Sequence, residues 1–198
     1  FDPFLSPPSL FSNTILKDSA IQMDSTIKWI VNVYKFTLLN NKTNIRKMTT
    51  KKMKVEIWSD VTCNFCYTAK RNFEIALSQF KESDKIEVIW KSFELAPKLK
   101  TNPNRYFPQF LAELRGLSIE QTTGMIEQVA NSAKELGLEF NLHKAIPANS
   151  FNAHRLSHLA KHYHLQDKTE ESLFKAYFTE GKNIDDTSVL IQIANEIG

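Results

Sequence analysis

The chain is predicted to be an α/β protein that starts from a single strand–helix–strand unit and continues as helices. Three observations predict it. Lys54–Asp60 (KVEIWSD) and Ile86–Phe93 (IEVIWKSF) are short runs rich in β-branched and aromatic residues. Between them, Cys66, Ala69, Phe73, Ala76, Leu77 and Phe80 recur at the three- and four-residue spacing of an amphipathic helix over residues 64–80. After Phe93 every periodic segment has the helical repeat. Strand, helix, strand at this spacing makes a parallel pair with a right-handed crossover.

The first 52 residues stand apart. They hold 8 Lys+Arg against 3 Asp+Glu, a net of +5, whereas residues 53–198 hold the remaining 17 and 19, a net of −2. The basicity belongs to this leader, so no nucleic-acid partner is expected of the folded part. Residues 1–12 are proline-rich. The most apolar stretch, Ile27–Leu39, is shorter than the roughly 20 residues of a membrane span and is interrupted by Lys28 and Lys35. No membrane association is expected, and an export signal is a poor match. The leader is expected to be disordered or upstream sequence, with translation starting at Met48 or Met53 and at most a helix near Ile27–Leu39.

In the strands, Trp58 and Trp90 are expected in the core. On the first helix, Lys70 and Arg71 are expected on the solvated face. Leu95–Pro108 is punctuated by Pro97, Pro103 and Pro108 and is expected to be a loop. Ser118 with Gln121 forms a capping box that opens a helix whose stripe is Ile119, Ile126, Val129, Ala130, Ala133 and Leu136, stopped by Gly137. Asn149 opens a helix to Tyr163, with Leu156, Leu159 and Ala160 inward. Asp167 with Glu170 opens another to about Glu180. Asp186 caps a last one, with Val189, Leu190, Ile193, Ala194 and Ile197 inward. Two strands make a marginal sheet, so further strands are expected beyond Gly198.

Cys63-Asn64-Phe65-Cys66 follows the first strand and opens the first helix. A helix N-terminus stabilises an anion, and a thiolate there becomes a nucleophile. Cys63, at the mouth, is expected to be the more exposed and to attack. Cys66, one turn inward, is expected to resolve the mixed disulfide. The alternatives are inert buried thiols or half a zinc site. Zinc needs about four ligands, and the chain has no second cysteine pair, so redox chemistry is the reading adopted. His154, His158, His162 and His164 cluster on one segment; a structural or rim role is expected for them, with no metal. Tyr67 fits either the site rim or packing.

Four blocks, KVEIWSDVTCNFCYTAKRNFE, VIWKSFELAP, NSFNAHRLSHLAKHYHL and LFKAYFTEGKNIDD, resemble the DsbA-like thioredoxin family, most closely its FrnE-type branch. The resemblance implies a thioredoxin-like fold with an inserted α-helical domain. Residues 53–94 would be its first part, 95–182 the insertion and 183–198 the start of the return, with the last strands and final helix missing. It implies thiol–disulfide exchange through Cys63 and Cys66, without a cofactor, on protein or small-molecule thiols and disulfides. Tyr67, Asn149 and His154 are the candidate substrate-binding residues. The family usually has proline where Asn64 stands. The cytosol is the expected compartment, since transient catalytic disulfides occur there. The alternatives are a glutathione-dependent transferase or isomerase of the kappa type, whose members usually have serine where Cys63 stands, and a non-catalytic binding protein or holdase.

Overall fold

A computed structural model describes residues 31–32 and 52–198. Its sheet has three strands in the order β1 (Val31–Asn32), β2 (Met53–Ser59), β3 (Ile86–Ser92). β2 and β3 run parallel, with Ile57 opposite Trp90, and α1 (Asn64–Gln79) is the crossover. β1 pairs antiparallel with β2, Val31 opposite Ile57. The helix expected near Ile27–Leu39 otherwise lies outside the described residues; at positions 31–32 the backbone is strand.

Alternation along the parallel strands sorts the side chains by face. Val55, Ile57 and Trp90 point to one side, where Phe73 of α1 joins them. Trp58 points to the other side and is 46% exposed, which corrects the core placement expected from its residue type. The same face carries the Lys91–Glu56 ion pair and the exposed Phe93.

The helices pack into a second, larger core. They are α2 (Phe107–Arg115), α3 (Ile119–Glu135), α4 (Phe151–Lys161), α5 (Gln166–Phe178) and α6 (Thr187–Ile197). α2 was expected to be loop at its start. Pro108 lies in its first turn, where the missing N–H costs no hydrogen bond. The capping box of α3 is formed as expected, and Asp186 caps α6 through Ser188 N–H. Two stripes differ from expectation. Ile119 is exposed on α3, and on α4 Ala153, His154, Ser157 and Ala160 are buried while Leu159 faces out. Gly181 follows α5 at φ 67°, and a Cβ there would meet Lys144 at 2.7 Å, so glycine is required twice over.

α1 binds the two cores together. Its buried residues are Asn64, Tyr67 and Lys70. Tyr67 stacks on Phe174 of α5 with ring centroids 4.7 Å apart, and Phe140 and Phe178 complete the cluster. Lys70, expected in solvent, is 2% exposed. The reason is α5: Lys70 Nζ lies 2.9 Å from Glu171 and 3.7 Å from Asp167, and it also pairs with Glu74. Burial pulls the Lys70 ammonium down, but these carboxylates outweigh it and hold it above the ordinary lysine value. Phe174→Ala should cost about 3–5 kcal/mol, read as a lower denaturant midpoint, because the fully buried Phe174 ring supports Tyr67 and hence α1.

Candidate active site

β2 ends at Ser59, and a tight turn delivers the chain to α1. Cys63 N–H donates to Asp60 O at 3.0 Å, and Cys63 takes the N-cap position with extended backbone. Both cysteines are free thiols. Cys63 is 7% exposed and Cys66 is half-buried against the helical core. This reverses the expected order of exposure. Asn64 is buried, and its Oδ1 has no hydrogen-bond partner.

The two sulfurs hydrogen-bond to each other and titrate as a pair. That bond and burial push Cys63 well above its ordinary value. Cys66 is lowered, first by the hydrogen bond with Cys63 and then, against burial, by the Asp60 backbone and the Ser59 hydroxyl. Ser59 Oγ is buried, and no hydrogen bond of ordinary geometry satisfies it. The surroundings therefore favour the thiolate on Cys66 over Cys63, opposite to the expectation from helix position alone. The helix N-terminus favours an anion in the first turn; which sulfur carries it is decided by the local donors.

Asp60 lies beside the pair and is 1% exposed. Its Oδ1 accepts from Thr62 N–H at 3.0 Å and from the Thr62 hydroxyl at 2.9 Å, and its Oδ2 accepts from Leu95 N–H at 2.7 Å. His154 Nε2 of α4 stands 3.8 Å from Asp60 Oδ1. His154 is 4% exposed, and neither ring nitrogen has a hydrogen-bond partner. Burial lowers its pKa against the pull of Asp60 and Glu94. His154, His158 and Arg155 line a cavity of about 350 Å³ with Ser92, Glu94 and Phe151. His158 Nε2 meets the Ser92 hydroxyl at 2.8 Å. Among the described residues no group of three or more metal-binding side chains is assembled.

The other two sequence candidates are occupied elsewhere. Tyr67 is not at a rim: its ring is in the core and its hydroxyl donates to Glu171 Oε1 at 2.8 Å. Asn149 fastens a loop, donating to Pro97 O and Leu99 O and accepting from Phe151 N–H. Its neighbours do the same work: Asn152 and Thr101 both bond Asp185, which knits two of the four sequence blocks together.

Sequence reasoning missed Ser59, Asp60 and Glu170. Asp60 had a readable signal, an acid three residues before the first cysteine. Glu170 had none beyond its apparent capping role, and α5 has no side-chain cap. Its carboxyl group is buried, with Oε1 on the Ser157 hydroxyl and Oε2 without a partner.

A profile for the DSBA-like thioredoxin domain matches residues 54–198. The chain belongs to this family. Over 151 residues the domain is 28% identical to the uncharacterized protein YwbO of Bacillus subtilis, covering 73% of this chain and 66% of that protein. It is 30% identical to the crystal structure of a "probable DsbA oxidoreductase" from Streptomyces coelicolor, with a TM-score of 0.67 over 73% of this chain and 62% of that one. The cytosolic disulfide reductase DsbM of Pseudomonas aeruginosa is more distant, at 16% identity and a TM-score of 0.49 over 74% and 64%. The chain thus spans about two thirds of the length of the relatives it matches. The DSBA-like domain is mixed α/β and thioredoxin-like, as the sequence implied. Among the described residues no helix is long and apolar enough to cross a membrane.

Burial raises the Glu170 carboxyl to about 7. Unfolded, the group ionises near 4.5; folded, it keeps its proton to about 7. Stability from this group is therefore full below pH 4.5 and is lost as pH rises to 7, by roughly 3 kcal/mol. Glu170→Gln should abolish that loss, so that the variant is the more stable form at pH 8 in denaturant titrations. Parallel pH curves for both forms would refute the assignment.

Proposed function

We propose that the domain exchanges thiols and disulfides through Cys63 and Cys66, acting on protein or small-molecule substrates, with the FrnE-type branch as its place in the family. The observation that carries this reading is the pair of free thiols at the start of α1, Cys63 at its N-cap and Cys66 in its first turn. Family membership and the Streptomyces relative support it.

The paired sulfurs suggest how the reaction starts. Cys63 passes its proton along the shared hydrogen bond to Cys66 and becomes the thiolate. Cys63 Sγ then attacks one sulfur of a substrate disulfide, forming a mixed disulfide and releasing one substrate thiolate. Cys66 loses its proton and attacks Cys63 Sγ, forming the Cys63–Cys66 disulfide and releasing the second substrate thiolate. Two electrons have moved from the cysteine pair to the substrate, and the reverse sequence oxidises a dithiol. Cys66 suits the resolving role because it packs against the helical core. His154 belongs to the substrate side in this reading, since it lines the cavity and stands 3.8 Å from Asp60. A cysteine where kappa-type transferases usually have serine, with a second free thiol three residues on, favours redox exchange over that alternative. The reading extends to the cytosol, where transient catalytic disulfides occur.

Cys66→Ala should trap the mixed disulfide, because nothing resolves it, and Cys63→Ala should trap little. Mass spectrometry after exposure to a model disulfide reads both. Equal trapping by the two variants would overturn the assignment of roles, and no adduct with either would overturn the function.

A further inference from the structure

We propose that the cavity at the carboxyl ends of β2 and β3 binds the free α-amino acid group of a small disulfide of the cystine class, with Arg155 on its carboxylate, Glu94 on its ammonium and His154 completing the hydrogen bonds. This names a small-molecule substrate class for the exchange pair and rests on the redox reading of Cys63 and Cys66.

Two elements build the cavity. Ser92 ends β3 and Glu94 follows it, at the strand ends where α/β sheets place their ligands. Phe151, His154, Arg155 and His158 recur at three- and four-residue spacing and so share one face of α4. The space they enclose is about 350 Å³, large enough for a small molecule. It adjoins the cysteine turn: His154 Nε2 stands 3.8 Å from Asp60 Oδ1, and the Asp60 carbonyl accepts the Cys63 N–H.

His154 is the first sign of a ligand. It lines the cavity, it is 4% exposed, and no hydrogen bond of ordinary geometry satisfies either ring nitrogen. A buried polar group in that condition calls for a partner. Burial favours the neutral imidazole against the pull of Asp60 and Glu94, so the ring offers one N–H donor and one acceptor. Arg155 and Glu94 are the second sign. Arg155 uses one N–H on Asn152 Oδ1 and keeps further donors in the planar fork that suits a carboxylate. The Glu94 carboxylate has no hydrogen bond or ion pair among the described residues, so two opposite charges line one cavity without neutralising each other. A ligand that carries both charges is complementary to this pair. The α-amino acid group of free cystine carries both, close to its sulfur, and the exposed Phe151 ring gives its methylene an apolar wall. A cystine inside a protein chain has neither free charge, so the cavity selects the free amino-acid disulfide. With cystine so held, Cys63 Sγ attacks one of its sulfurs and releases a cysteine thiolate. Cys66 then attacks Cys63 Sγ and releases the second cysteine. Two electrons pass from the pair to cystine, and the two thiol protons go to the cysteines released.

Two measurements test the site. Single-turnover oxidation of the reduced protein gives second-order rate constants for cystine, for cystamine, which lacks the carboxylate, and for dithiodipropionate, which lacks the ammonium. Magnetic-resonance titration of the imidazoles with S-methyl-L-cysteine reads binding without redox chemistry. Arg155→Met should slow cystine and dithiodipropionate by about tenfold and leave cystamine no slower. Glu94→Gln should slow cystine and cystamine by several-fold and leave dithiodipropionate no slower. Both variants should weaken S-methyl-L-cysteine. Arg155 is exposed and Glu94 half-buried, so neither change opens a core. If circular dichroism shows that one variant does not fold, the other decides alone. A merely structural role would slow the three disulfides alike. Cystine rates within twofold of the parent, equal slowing of all three disulfides, or no binding of S-methyl-L-cysteine to the parent would overturn the inference and leave the redox function in place. A parent that binds S-methyl-L-cysteine through these residues but exchanges with no disulfide would overturn the redox reading and leave the amino-acid site standing.

Discussion

Lys70 is a buried ammonium on the helix that carries the cysteines, and the rest of the arrangement follows from the need to satisfy it. A buried charge without a partner is costly enough to unfold a domain of ordinary stability. α1 offers only Glu74 from its own turn. The remaining carboxylates, Glu171 and Asp167, come from α5, about a hundred residues later in the chain. The same helix supplies Phe174 to stack on Tyr67, and Asp167 also accepts from the Trp90 indole on β3. One face of α5 thus meets α1 and the sheet together. The helical segment is the counter-surface that fixes where the first turn of α1, and so the cysteine pair, sits.

Around that pair the fold keeps polar groups that a purely structural core would exclude. Asp60 is hydrogen-bonded as an acceptor at both oxygens, His154 is buried with both nitrogens free of partners, and Glu170 is pushed by burial toward its protonated form with one oxygen unpaired. These are different answers to one problem, burying an ionisable group: pair it with donors, keep it neutral by deprotonation, or keep it neutral by protonation. Their concentration within one region is the mark of a functional site, where local rules of burial yield to chemistry. Ser59 belongs with them, since no hydrogen bond of ordinary geometry satisfies its buried hydroxyl. The geometry therefore gives the two thiols unequal surroundings, and it does so from the strand end and the turn rather than from the helix alone.

Short-range patterns were legible where backbone chemistry decides them. The β2 and β3 spans, the start of α1 at Asn64, the capping box of α3 and the Asp186 cap all follow from residue type and spacing over a few positions. The cysteine motif announced both its place and its chemistry, because a strand that ends in C-x-x-C at a helix start leaves few alternatives. α2 escaped because three prolines suggested a continuous loop, although a proline in the first turn is compatible with a helix.

What the sequence by itself determined, then, is the strand–helix–strand unit of β2, α1 and β3, the helices α3 to α6, the family and the pair of sulfurs. Only the tertiary structure decided which side of each element is inside. Lys70 and His154 are buried although their residue types favour the surface, while Trp58 and Leu159 are exposed although theirs favour the core. Periodicity reports that a face exists, but a polar residue becomes interior only when a partner from a distant segment satisfies or neutralises it. For Lys70 that partner is Glu171, about a hundred residues away, whereas burial itself holds His154 toward the neutral form. The same reason hid the opposite shifts of Cys63 and Cys66: they depend on the contact between the two thiols, on burial and on the donors at the end of β2, not on their positions in the motif.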